Sequence, residues 1–140
     1  MLAALRHEKN TILAAARSQS TPSQDVTQWM MEARRWVDLA SCGFFVVEQD
    51  NRVVGYIIGV VLPAIPGVSE QPIGAITDLA LDAHGYHGGA GRSLVEAVRG
   101  WLVEHGVQRI LVMVPRFYAP EQAFWRALGA VVEVDVMWLK

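Results

Sequence analysis

The sequence has one cysteine, little excess charge and no long apolar run. With Cys42 alone among its 140 residues, the chain cannot form an internal disulfide or a thiolate metal cluster. The formal net charge of -2 at pH 7 argues against nucleic acid or an acidic membrane as a partner. The longest apolar run, residues 53–62, is about half a membrane span and contains glycines, so we expect a buried strand there and no membrane partner.

The first residues also lack the pattern of an export signal. Residues 1–17 carry Arg6, Glu8 and Lys9 where such a signal needs an unbroken apolar stretch. Together with the low cysteine content, this predicts a cytoplasmic protein. The length is that of one ordinary domain, and we expect residues 1–140 to form a single α/β domain without a metal.

Helical periodicity marks the first forty residues. Apolar residues at helical spacing predict an amphipathic helix over residues 1–17. Thr21 as a cap and Pro22 in the first turn predict a second helix that continues to Ala40 and is closed by Gly43. Exposed apolar residues on these two helices favour a homodimer.

From residue 44 onwards, β-rich runs alternate with helical ones. The patterns predict helices over 91–105 and 120–128, and strands over 44–48, 53–62, 73–81, 109–114 and 130–139. Such alternation is typical of an α/β fold. Simple alternation in the third of these strands places Gly74, Ile76, Asp78 and Ala80 on one face.

Glycines crowd the turn that follows this third strand. Between Leu81 and the next helix they allow close backbone approach, and the helix N-terminus adds partial positive charge, which together suit phosphate oxygens. A turn that binds nothing has the same composition. A nucleotide P-loop needs a Gly-Lys-Ser/Thr ending, whereas this chain has Gly91-Arg92-Ser93, and a dinucleotide site needs its glycines after the first strand. A nucleotide-binding module is therefore the weakest alternative.

The turn resembles the coenzyme A loop of the GNAT superfamily of N-acetyltransferases. In that family Arg/Gln-x-x-Gly-x-Gly/Ala follows the fourth strand, and Gly89-Ala90-Gly91 matches the second half of the motif. Residues 76–81 resemble the fourth strand itself, and residues 123–129 resemble the late helix that ends in Leu-Gly. The resemblance extends from residue 44 to the last residue and implies a GNAT-like mixed twisted sheet flanked by helices on both faces.

This resemblance implies an N-acetyltransferase that uses acetyl-coenzyme A as co-substrate. The acceptor would be a primary amine of a small molecule or peptide. Asp78 is the candidate general base and Tyr118 the candidate general acid, while His84 and His87 flank the turn as further candidate contacts. The residues expected to contact coenzyme A are Leu79, Ala80, Leu81, Tyr86, His87, Gly88, Gly89, Ala90, Gly91 and Arg92.

Three features depart from the family's pattern. Tyr86 stands where the family has Arg or Gln, and His87 where it has glycine, so a guanidinium contact to the diphosphate is missing there. Trp125 takes the place of the tyrosine that protonates the departing thiolate, and an indole is no usable acid. The chain is also predicted to begin with a helix instead of a strand, which leaves the acceptor site undefined. Tyr86 and Trp125 motivate the alternative to an enzyme, a non-catalytic acyl-coenzyme A-binding or regulatory GNAT-like domain.

Overall fold

A computed structural model describes residue 31, residues 34–35, residues 38–82 and residues 88–140. The predicted first helix and most of the second lie outside these residues. Met31, Arg34 and Arg35 are helical, whereas residues 38–41 form a turn, so the second helix ends before Ala40. None of the helices described is long and apolar enough to cross a membrane.

Four strands form one mixed sheet in the order β1-β2-β3-β4. Strands β1 (Cys42–Gln49), β2 (Arg52–Leu62) and β3 (Ile73–Leu81) pair antiparallel, and β4 (Ile110–Val112) is parallel to β3. Helix α1 (Ala90–Glu104) connects β3 to β4, and helix α2 (Ala119–Ala127) follows β4. This arrangement confirms the predicted α/β class and the mixed sheet.

The hairpin between β1 and β2 has a two-residue turn. Asp50 and Asn51 both have positive φ, 52° and 60°, which is the geometry of the tight turn that best matches the twist of paired strands. Asp and Asn tolerate this conformation better than other residues with a side chain. The two strands that the sequence predicts here, 44–48 and 53–62, are confirmed with slightly longer bounds.

Helix α1 packs on one face of the sheet. The core there contains Ile57 and Ile76 from the sheet and Leu94, Val98 and Leu102 from the helix. Glycines let the helix lie close, because a Cβ at Gly43 would come within 2.7 Å of the Trp101 ring and one at Gly59 within 2.4 Å of Val98. Gly43 thus belongs to β1, and the prediction that it closes the second helix is wrong.

A second apolar cluster lies on the opposite face. It is formed by Tyr56, Ile58 and Ala80, with Phe44 and Val53 packed against it. The Phe44 and Tyr56 rings stack with centroids 5.7 Å apart. Helices α1 and α2 both contribute to the first cluster, and the helices predicted at the start of the chain lie largely outside the described residues.

The segment after α2 differs from the sequence expectation. Residues 130–139 were expected to form a strand, but residues 130–140 have no regular secondary structure. The β-branched pattern is present, yet a strand also needs a backbone partner, and residues 131–140 pair with no backbone group in the described chain. Leu139 and Trp138 are almost fully exposed.

Candidate functional site

An opening separates β3 from β4 at their carboxyl ends. The two strands pair only from Gly74 to Ile76, and the last hydrogen bond is donated by the Met113 N–H to the Ile76 carbonyl at 2.9 Å. β3 then continues to Leu81, whereas the chain leaves β4 for the loop 113–118. Beyond Ile76, β3 and β4 therefore do not pair with each other.

A β-bulge divides β3 at Thr77. Ile58 faces Asp78 while the next residue, Gly59, faces Ile76, so Thr77 is an extra residue in β3. Beyond it, the Asp82 N–H donates to the Val54 carbonyl of β2 at 2.8 Å. Because bonding direction alternates along a strand, Leu79 and Leu81 direct their backbone groups towards the opening. The same alternation directs those of Ala80, the third residue expected to bind the ligand arm, at β2.

Asp78 lies on the second face, away from α1. Its side chain is buried, and its Oδ2 accepts a hydrogen bond of 2.8 Å from the Tyr56 hydroxyl. The predicted sharing of a face with Gly74 is wrong, because a Cβ at Gly74 would meet Leu102 of α1. The bulge causes this change of face. The role of Asp78 as general base stays a prediction, now with Tyr56 as its neighbour.

The glycine-rich turn is described from Gly88 onwards. Tyr86, His84 and His87 lie outside the described residues. Gly88 and Gly89 have positive φ, 41° and 89°, and a Cβ at Gly89 would meet nothing within 4 Å. Here glycine is required by backbone conformation, and the space in front of it is open.

Helix α1 begins with unsatisfied donors. Its first hydrogen bond is from the Ser93 N–H to the Gly89 carbonyl, at 2.9 Å. The preceding N–H groups of Ala90, Gly91 and Arg92 bond to nothing within the part of the chain that the structure describes. Ala90 and Gly91 are buried and no side chain of the described residues caps the helix, so an anion fits this end both by its hydrogen bonds and by the helix dipole.

Three elements converge at Gly91. A Cβ placed on Gly91 would lie 2.9 Å from the Phe124 ring of α2 and 3.3 Å from Leu81 of β3. The start of α1, the end of β3 and the middle of α2 are therefore in contact. This contact brings the donor-rich helix end next to the end of β3.

The loop between β4 and α2 carries Tyr118. Its N–H donates to the Pro115 carbonyl at 3.2 Å, and its own carbonyl accepts from the Gln122 N–H at 3.1 Å. Tyr118 is half-buried and precedes the first residue of α2. Its position at the carboxyl end of β4 agrees with the predicted location, and its role as general acid stays a prediction.

Sequence reasoning missed Glu121. Its side chain is 6% exposed, and its Oε1 accepts a hydrogen bond of 3.3 Å from the Trp125 indole N–H. A carboxylate in the first turn of a helix is usually exposed to solvent and stabilised by the helix dipole, so its position in the sequence does not indicate burial. The four-residue spacing to Trp125 is the signal that links the two side chains on one helix face.

Charged groups near the opening are few. The Arg52 guanidinium donates to Asp82 Oδ2 at 2.7 Å directly after β3, and Arg92 is exposed at the start of α1. Among the described residues, no group of histidine, cysteine or acidic side chains is arranged to hold a metal ion. Within the described part of the site, the hydrogen-bond donors are thus mainly backbone groups.

Comparison with known proteins identifies the family. The model of the acetyltransferase (GNAT) family matches residues 8–130, and the chain belongs to that family. No curated protein sequence matches the chain. The family assignment confirms the resemblance seen in the glycine-rich turn and the strands around it.

Solved structures show the same fold. A tetramutant of the BH1408 protein from Bacillus halodurans is 21% identical, with a TM-score of 0.79 over 99% of this chain and 91% of that one. The aminoglycoside N-acetyltransferase AAC(6')-Iy in complex with CoA is 12% identical, with a TM-score of 0.70 over 100% and 90%. A ribosomal-protein-alanine N-acetyltransferase from Brucella melitensis is 15% identical, with a TM-score of 0.64 over 100% and 95%. At these identities the likeness establishes the fold alone.

Proposed function

We propose that the protein is an acetyl-coenzyme A-dependent N-acetyltransferase that transfers the acetyl group to a primary amine of a small molecule or peptide. The observation that carries this proposal is the set of N–H groups at the start of α1 that bond to no described residue, next to the end of β3 at Gly91. Family membership supplies the reaction class, and related folds occur in proteins named for aminoglycoside and protein acceptors. We place the reaction in the cytoplasm.

The chain's backbone would hold most of the co-substrate. The N–H groups of Ala90, Gly91 and Arg92 fit the two negative charges of the diphosphate, which also lies at the positive end of the helix dipole. Leu81, whose backbone groups point away from β2, would pair with the pantetheine arm in the manner of an added strand. This pairing places the thioester next to backbone N–H groups that can stabilise negative charge on its oxygen.

Two side chains would handle protons. Asp78, directly or through a water molecule, would accept a proton from the incoming ammonium so that the free amine can attack the thioester carbon. The nitrogen of the tetrahedral intermediate then loses its second proton to water, the carbon–sulfur bond breaks, and Tyr118 would protonate the departing thiolate. Trp125 cannot do so, because its indole N–H is bonded to Glu121 and is not acidic enough.

A binding assay and a turnover assay together test the proposal. Calorimetry with coenzyme A should give saturable binding, and ATP should not compete. Acetylation of a panel of aminoglycosides, polyamines and short peptides, followed through thiol release, should identify at least one acceptor. Binding without turnover across the panel would favour the non-catalytic alternative, which the buried Trp125 motivates. Absence of coenzyme A binding would overturn both.

A further inference from the structure

The turn that leads to Tyr118 has little packing of its own. It is a β-turn closed by the bond from the Tyr118 N–H to the Pro115 carbonyl at 3.2 Å. The two residues between them, Arg116 and Phe117, are exposed. Arg116 forms an ion pair with Asp135, but the two side chains are 77% and 54% exposed, and such a pair stabilises little. The position of the turn therefore depends on its hydrogen bonds.

Gln122 binds both ends of this turn. Its backbone N–H donates to the Tyr118 carbonyl at 3.1 Å, which is the ordinary first bond of α2. Its side chain reaches back, and Nε2 donates to the Pro115 carbonyl at 3.1 Å. The Pro115 carbonyl thus accepts two bonds, one for each lone pair. A single residue of α2 thereby holds the turn at its first and at its last residue.

Helix α2 gives Gln122 a fixed base. Trp125 is 3% exposed in the core, and the Phe124 ring lies against Gly91 of α1. The Gln122 side chain is itself partly buried. Since a side chain on a packed helix positions its neighbour more precisely than one on a loop, the geometry of the turn follows that of α2.

We propose that Gln122 is a positioning residue, which sets the direction of the Tyr118 side chain at the carboxyl end of β4. Tyr118 has a φ of -111° and a ψ of 87°, so it lies outside the helix, and the bonds on either side of it determine where its phenol points. Gln122 makes one of these bonds and braces the other. The inference rests on the proposed function, because it concerns the phenol that would protonate the thiolate. Gln122 itself transfers no proton.

Steady-state kinetics of Gln122→Met tests this role. Methionine keeps the length of the side chain and the backbone bond but offers no donor to Pro115. We expect kcat to fall by about tenfold to a hundredfold, since a misplaced catalytic group costs that much, while coenzyme A affinity by calorimetry is unchanged. The matched control is Arg126→Met, an exposed position on the same helix, which should have the kcat of the wild type. Equal kcat in Gln122→Met and the wild type would overturn the proposal.

A double variant separates positioning from general damage to the fold. Once Tyr118 is replaced by phenylalanine, no phenol is left to orient, so adding Gln122→Met to Tyr118→Phe should lower kcat by less than about twofold more. A second loss as large as the one in the wild-type background would show that Gln122 acts on something other than the phenol. That result would contradict the proposal.

Hydrogen exchange measures the brace without any substrate. By NMR, the Tyr118 N–H should exchange at least about tenfold faster in Gln122→Met than in the wild type, while the Leu128 N–H at the other end of α2 is unchanged. Unchanged exchange at Tyr118 in a chain that acetylates normally would overturn this inference alone. Faster exchange in a chain that binds no coenzyme A would support the brace and overturn the proposed function.

Discussion

The Tyr56 hydroxyl donates a hydrogen bond of 2.8 Å to the carboxylate of Asp78, and both side chains are buried. The two residues lie on neighbouring antiparallel strands. Asp78 is two residues from Ala80, which is the residue that faces Tyr56, and Asp78 itself faces Ile58. The bond fixes the orientation of the carboxylate that we propose as general base. Under the proposed mechanism, stability and catalysis both depend on this pair.

Replacing Tyr56 by phenylalanine should destabilise the protein. The change removes a donor to a buried acceptor, which costs about 1–3 kcal/mol of unfolding free energy. Urea denaturation of Tyr56→Phe, Asp78→Asn and the double variant gives a double-mutant cycle. Additive losses in that cycle would contradict an energetic link between the two side chains.

Replacing Asp78 by asparagine should lower turnover much more than binding. Loss of a general base reduces kcat by about 10²–10⁴-fold, while coenzyme A affinity by calorimetry should change little. Asp82→Asn is the matched control, because Asp82 follows the same strand and pairs with Arg52. Equal kcat in Asp78→Asn and the wild type removes Asp78 from the mechanism.

Replacing Gly89 by alanine should weaken coenzyme A binding. The new Cβ meets no protein atom, but it projects into the open space before the helix and strains a residue with φ of 89° by about 1–2 kcal/mol. Gly67→Ala controls for the strain, because Gly67 has a φ of 82°, equally open surroundings and a position in another loop. Calorimetry should show weaker binding for Gly89→Ala alone, and equal affinities would contradict the assignment of the loop.

Replacing Gly91 by alanine should destabilise the junction of α1, β3 and α2. The added methyl would lie 2.9 Å from the Phe124 ring, and overpacking of this kind costs about 1–3 kcal/mol. Thermal or chemical denaturation measures the loss. Adding Phe124→Leu to the same chain should recover part of it, and failure to do so would mean that Phe124 is not the obstacle.

Replacing Tyr118 by phenylalanine should reduce kcat with unchanged coenzyme A affinity. If the phenol protonates the thiolate, its loss costs about 10²–10⁴-fold in rate. Phe117→Leu provides a control in the adjacent residue, which is 64% exposed. Steady-state kinetics with thiol detection measures kcat. If Tyr118→Phe turns over as fast as the wild type, Tyr118 is not the general acid and another group protonates the thiolate.

Local sequence patterns predicted the strand before the glycine-rich turn and the two helices that follow it. The strand Ile73–Leu81 has the predicted bounds, and α1 and α2 each begin one residue before the predicted position. Polar residues and glycines lie at these bounds. The glycine-rich turn could be predicted for the same reason, because the positive φ of Gly89 is a conformation that favours glycine.

Features that depend on pairing between distant segments could not be predicted in this way. The bulge at Thr77 follows from the register of β2 against β3, and the residue types at this point do not predict it. Residues 130–139 have the sequence pattern of a strand, but a strand forms only where the backbone pairs with the edge of another strand, and the sequence does not show that pairing. Glu121 was missed because its burial comes from the packing of α2 and not from its neighbours in sequence.

Thr77 also determines which insertions and deletions β3 can accept. Its side chain is exposed, so most replacements there should cost little in packing. Removing the residue, however, would shift the phase of the strand: either Ile76 and Gly74 or Asp78 and Ala80 would have to change sides. One outcome puts a carboxylate against α1, and the other takes Ile76 away from it. Position 77 should therefore tolerate most substitutions but not a deletion.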